Sequence, residues 1–117
     1  DGTVRVEIDG HVVAESTGAR VLREGTYAPR YYLPLHDVRA ELLERTETTT
    51  FCPFKGDASY WTVVLPNGDR HDDIVWTYET PIDAMRPIER MVSFYNERVT
   101  LFIDGEPTDP PTRRSTE

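Results

Sequence analysis

The feature that most limits the fold is the repeated meeting of a short alternating run with a Gly-containing turn. Val4, Val6 and Ile8 alternate with Arg5 and Glu7, the period-two pattern of a strand with one buried face. Asp9-Gly10 follows, and because glycine takes positive φ at no steric cost, a hairpin returning through residues 11–15 is predicted. Thr17-Gly18 turns the chain again into a third strand over residues 19–24. Later, residues 59–65 and 74–78 flank Asn67-Gly68, which reads as a two-residue type I′ hairpin. Residues 91–95 and 99–103 repeat the pattern, and Asp104-Gly105 closes it. The phrase Ile-Asp-Gly at residues 8–10 and 103–105 is shared hairpin chemistry rather than a repeat unit.

The connecting segments are less regular. Residues 25–34 carry Tyr27, Tyr31 and Tyr32 among prolines, with a short edge strand expected over residues 30–33. Asp37 can cap a two-turn helix over residues 38–45, because Val38 and Leu42 are four apart. Residues 46–50 are β-branched and polar, so they read as a strand leading into Phe51. Pro81 and Pro87 allow only a short broken helix between residues 81 and 91. About eight short strands with two short helices define a mainly β fold of bent antiparallel sheets. One β-rich domain over residues 1–105 is expected, followed by a flexible tail over residues 106–117, where prolines mix with Thr, Arg and Ser.

The chain has 117 residues, enough to bury a core without disulfides or metal. Its formal charge of −8 repels phosphate backbones and anionic membrane surfaces, so neither nucleic acid nor membrane is expected as a partner. A single cysteine excludes an internal disulfide and a cysteine-rich zinc site. That cysteine, the lack of a long apolar run and the absence of a signal peptide fit a cytoplasmic location with no cofactor.

The densest chemistry lies in residues 51–61, Phe-Cys-Pro-Phe-Lys-Gly-Asp-Ala-Ser-Tyr-Trp. Cys52-Pro53-Phe54-Lys55-Gly56 followed by Ala58-Ser59-Tyr60-Trp61 resembles the hallmark of the family called domain of unknown function 427. The likeness extends to Tyr31-Tyr32-Leu33-Pro34 before Asp37-Val38, to Trp76-Thr77-Tyr78 with Pro81, and to Val92-Ser93-Phe94-Tyr95. The family usually has tyrosine or another aromatic where this chain has Phe54. The resemblance implies a fold similar to the β-tent group that includes methionine sulfoxide reductases of the B type, here metal-free because the paired cysteines are missing. The family also carries a nucleotidyltransferase-like label, although the chain has no Gly-rich phosphate loop.

Three residues are candidates for catalysis. Cys52 could act as a nucleophile if Lys55, three residues on, supplies positive charge; the alternative is a small buried hydrophobe at a strand end. Lys55 beside Gly56 could meet an anion or simply be a solvated turn charge. Asp73 could serve in general acid–base work, with Trp76 lowering its solvation. His71-Asp72-Asp73 also has the residue types of a cation site, though turns favour the same residues. Tyr32, Asp57, Tyr60, Trp61 and Trp76 are candidates for binding a flat ring, as aromatic walls do. Alternation puts Tyr60 and Trp61 on opposite faces, and an exposed indole beside Lys55 is expected. His11 and His36 read as isolated surface residues. Two functions follow: a pocket for an unknown small molecule, a nucleotide or sugar, or a noncatalytic interaction domain. Counting back from a two-residue turn at Asn67-Gly68 puts Thr62 opposite Asp73 and Ser59 opposite Trp76. Trp61, Lys55 and Asp73 can then share a cleft only if a bulge shifts the register.

Overall fold

A computed structural model describes residues 2–23 and 29–108. In chain order the strands are β1 (Val4–Ile8), β2 (His11–Ser16), β3 (Arg20–Leu22), β4 (Arg30–Pro34) and β5 (Leu43–Cys52). They continue as β6 (Gly56–Val64), β7 (Arg70–Tyr78), β8 (Met91–Phe94), β9 (Thr100–Ile103) and β10 (Glu106–Pro107). They form two antiparallel sheets, a four-stranded one in the order β10-β9-β1-β2 and a six-stranded one in the order β3-β4-β8-β7-β6-β5. The domain is mainly β, as the turn pattern predicts.

Alternation decides which face of each strand is buried. Val4, Val6 and Ile8 of β1 point into a core with Val13, Leu33, Val63, Val75, Val92 and Leu101, contributed by both sheets. A second cluster, Tyr32, Ala58, Tyr60, Trp76, Tyr78 and Ile88, draws its strand residues from the six-stranded sheet alone. Tyr60 belongs to this second cluster and Trp61 packs against the first, so the two neighbours do face opposite ways.

The Asp-Gly turns form as expected. Asp9 and Gly10 stand at φ 51° and 82°, and Asp104 and Gly105 at 52° and 86°, the all-positive pattern of a I′ turn. Asn67-Gly68 does not. The Gly68 N–H donates to Leu65 O at 2.8 Å, and the Leu65 N–H donates to Asp69 O at 2.9 Å. This is the three-residue loop Pro66-Asn67-Gly68, a type I turn followed by a glycine at φ 93°. Proline pre-sets the first turn position, and the Asn67 side chain accepts the Asp69 N–H at 3.0 Å. Next to this loop the pairs are therefore Val64–Arg70 and Val63–His71. An irregularity in β7 past His71 then shifts the register by two the other way, so that Tyr60, not Ser59, pairs with Trp76, and Ser59 pairs with Thr77.

Other expectations change with tertiary context. No helix spans residues 38–45. Two single 3₁₀ turns, Leu35–Asp37 and Ala40–Leu42, flank an extended Val38 that bridges to Ala14, while the Arg39 N–H donates to Val13 O. Burying Val38 against β2 outweighs a helix too short to stabilise itself. Asp37 caps no helix; it accepts a 2.6 Å hydrogen bond from Ser16 Oγ. Residues 83–88 form a kinked 3₁₀ segment with Pro87 inside, the broken helix the prolines predict. β4 lies inside the sheet rather than at an edge, with Pro34 as its last residue. Glu106 and Pro107 pair with β9, so the start of the expected tail is ordered by the sheet. Tyr27, the end of the predicted third strand and residues 109–117 lie outside the described residues.

Candidate functional site

Two irregularities on either side of β6 build the site. Between the Arg45–Trp61 and Thr49–Ser59 pairs, β5 places Thr46, Glu47 and Thr48 against Tyr60 alone. Between the Trp61–Val75 and Val63–His71 pairs, β7 places Asp72, Asp73 and Ile74 against Thr62 alone. Bulges re-aim side chains, and here they aim them at each other. Asp73, at φ 51°, accepts from Thr46 Oγ1 and from Thr48 Oγ1, each at 2.7 Å. One carboxylate thus reaches across β6 and ties both bulges together. Asp73→Ala is expected to cost about 2 kcal/mol, from two charge-assisted hydrogen bonds that are partly solvated and from alanine at positive φ. Urea denaturation checks this, and Asp73→Asn should cost less than half as much.

The bulges border an open cleft of ≈ 400 Å³ on the aromatic face of the larger sheet, lined by Arg30, Thr48, Thr50, Tyr60, Asp73, Tyr95, Glu97 and Arg98. Trp76 supports it from below. Its ring lies 4.5 Å from Tyr95, and its Nε1–H donates to Tyr32 Oη at 3.2 Å. The Arg30 guanidinium is buried over Trp76 and Tyr95, 5.5 and 5.6 Å from the ring centres. It donates to both carboxylate oxygens of Glu97, at 2.8 and 3.1 Å. Thr50 Oγ1 and Tyr60 Oη share a 3.0 Å hydrogen bond.

Burial, together with a hydrogen bond to Tyr60, holds the Tyr95 phenol well above the ordinary tyrosine value of 10. Above pH ~10 the unfolded chain releases this proton while the folded protein keeps it. The stabilisation is therefore complete below that pH and is lost as pH rises through the raised value. Urea midpoints measured from pH 8 to 12 should fall at the alkaline end, and less steeply in Tyr95→Phe.

The structure separates the residues that the sequence grouped together. Tyr60 and Asp73 line the cleft, and Trp76 and Tyr32 form its support. Trp61 lies on the other face, half-buried beneath Arg45 at 5.3 Å. The expected exposed indole is therefore absent: Trp76 is buried, and Trp61 is covered on the inter-sheet side. Cys52, Lys55 and Asp57 sit at the far tip of the β5–β6 hairpin, with Cys52 paired to Gly56 and Phe51 to Asp57. Thr62, beside Asp73, is about 20 Å along β6 from Gly56 at a strand's rise per residue. A bulge does form beside Asp73, but it brings Asp73 together with Tyr60 rather than with Trp61 and Lys55. Cys52 is half-buried, 3.9 Å from the Lys55 ammonium, and Lys55 is itself buried. Gly56, at φ 120°, comes so close to residues 80–81 that a Cβ would lie 3.3 Å from Pro81 Cα and Thr80 O. His36 is exposed beside Asp37. Among the described residues no three His, Cys, Asp or Glu side chains are grouped to hold a metal ion.

Arg30, Thr48, Thr50, Tyr95, Glu97 and Arg98 were not visible as site residues in the sequence. Thr48 and Thr50 had a signal, since period two puts them on one face of a predicted strand. Arg30 and Glu97 had none, being 67 residues apart.

Two open antiparallel sheets carrying an aromatic cleft on the larger one define a β domain with no metal-binding group among its described residues. The chain belongs to the family described as domain of unknown function (DUF427), whose family profile matches residues 1–105. No curated protein matches the chain. No described helix is long and apolar enough to cross a membrane.

Proposed function

We propose that the domain binds a small molecule, of nucleotide or sugar size, in the cleft beside Asp73. The carrying observation is the cleft itself: ≈ 400 Å³ of open space where tyrosines, threonine hydroxyls and paired charges converge, within the usual range for ligand sites. Its parts are held before any ligand arrives. Asp73 is fixed by two threonines and Arg30 by Glu97. Groups locked in advance lose little entropy on binding. In this reading Asp73, Tyr60, Thr48 and Thr50 contact the ligand, and Trp76 and Tyr32 hold the floor. Cys52, Lys55 and Asp57 belong to the hairpin tip rather than to this cleft.

A thermal-shift screen with nucleotides, sugars and metal ions tests the reading. A ligand at a hundred times its Kd stabilises by about 2.7 kcal/mol, which raises the midpoint by several degrees. That shift should shrink in Asp73→Asn. A screen in which no compound moves the midpoint counts against the reading.

A second reading, a protein-interaction domain, is favoured by the hairpin tip. Phe51 and Phe54 are 70% and 72% exposed, and Ile82 is exposed beside them, its N–H bonded to Lys55 O. Exposed aromatic patches mark contact surfaces. On that reading, Phe51→Ser with Phe54→Ser removes a partner's binding and leaves ligand-induced thermal shifts in place.

A further inference from the structure

We infer that the ligand of the cleft is an uncharged polyhydroxylated ring of the pyranose type, an assignment that rests on the small-molecule reading above. The argument starts from the charges. Two carboxylates, Asp73 and Glu97, face two guanidiniums, Arg30 and Arg98. Glu97 holds Arg30 in a two-pronged bond. A phosphate group brought here would meet both carboxylates. Lys55 sits at the far hairpin tip, and no glycine-rich loop supplies a cradle of N–H groups. The site is built for hydrogen bonding without net charge.

The remaining polar surface is hydroxyl. Thr48 donates to Asp73, Thr50 shares a hydrogen with Tyr60, and the Tyr95 phenol lines the cleft with them. A hydroxyl both donates and accepts, and an ionised carboxylate has about four acceptor positions, of which the two threonines occupy two on Asp73. Such a run matches a ligand whose own polar groups are also hydroxyls. The tyrosine rings offer an apolar surface to the C–H face of a pyranose, and a flat sugar face beside an acceptor carboxylate satisfies both halves of the cleft.

The test is an amide-resolved NMR titration of the whole chain with methyl α-glucopyranoside, methyl β-galactopyranoside, adenosine monophosphate and inorganic phosphate. The expected result is a saturable shift of the Thr48, Tyr60 and Tyr95 amides and of the Trp76 indole N–H with at least one pyranoside. Affinity for that pyranoside should drop about tenfold in Thr50→Val, by loss of one hydroxyl, and recover in Thr50→Ser. A linear trisaccharide of the binding sugar separates a free sugar from a chain end by which of the two binds more tightly. Shifts of the same residues with adenosine monophosphate or phosphate alone overturn the sugar assignment and leave the small-molecule reading standing. Pyranoside affinity unchanged in Thr50→Val overturns it too. An absence of cleft shifts with all four probes also removes the sugar assignment, and the small-molecule reading is then judged by the broader thermal screen.

Discussion

Trp76→Ala should destabilise the domain by about 4 kcal/mol, the upper part of the range for deleting a large buried aromatic. Four interactions go at once. The indole is buried, touches the Tyr95 ring at 4.5 Å, meets the Tyr32 ring edge-on with centroids 6.3 Å apart, and lies under Arg30. Its N–H also donates to the buried Tyr32 hydroxyl, a bond that alanine cannot make. Neighbouring strands hold the backbone on both sides, since β7 pairs with β6 and β8. The cavity therefore has little room to collapse, which is why the high end of the range is expected. Urea unfolding followed by far-ultraviolet circular dichroism gives the number. A loss below about 1.5 kcal/mol would mean that the aromatic cluster packs loosely. Trp76→Phe keeps most of the contact and should cost roughly half as much as alanine. In a domain stable by ~5–15 kcal/mol, the alanine change alone removes a large share.

The second large effect concerns Arg30 and Glu97. Glu97→Ala should cost about 3 kcal/mol, because it leaves a guanidinium buried among aromatic rings without its two-pronged carboxylate. Arg30→Met removes the charge but fills the space, so it should cost less. The pair tests coupling directly. With both changes made, the loss should fall short of the sum of the single losses by about 2 kcal/mol, since the buried guanidinium that lost its carboxylate is gone as well. Strict additivity would show that solvent reaches the guanidinium and screens it. The pair also ties the 3₁₀ turn Asn96–Arg98 to β4, so the single changes should loosen one wall of the cleft.

The strands and most turns of this domain follow from short-range chemistry. Val4, Val6 and Ile8 alternate, so one face of β1 is buried wherever its partner comes from. Asp9-Gly10 and Asp104-Gly105 bend the chain because glycine is free at positive φ. The same alternation puts Tyr60 and Trp61 on opposite faces before any partner strand is known. At Asn67-Gly68 the dipeptide misleads, because the proline before it starts a longer turn; the added loop residue moves the Val64–Arg70 and Val63–His71 pairs by one, and beyond them the bulge in β7 sets the register. The helix expected over residues 38–45 fails for a different reason. Its propensity is weak, and a buried Val38 bridging to Ala14 offers more than a helical turn could.

The site depends on distances no local pattern carries. Asp73 meets Thr46 and Thr48 from 27 and 25 residues away, and only after β5 and β7 have both bulged against β6. The fold separates Lys55 from Asp73 because they stand at opposite ends of one long hairpin, although both looked like parts of one chemical cluster. Arg30 joins Glu97 across 67 residues once β4 takes its place beside β8. The alternation and glycine positions of the sequence determined the strands, because those choices are made within a few residues. Strand order, the paired bulges and the composition of the cleft were decided only in the tertiary structure, because each needs backbone from distant segments packed side by side.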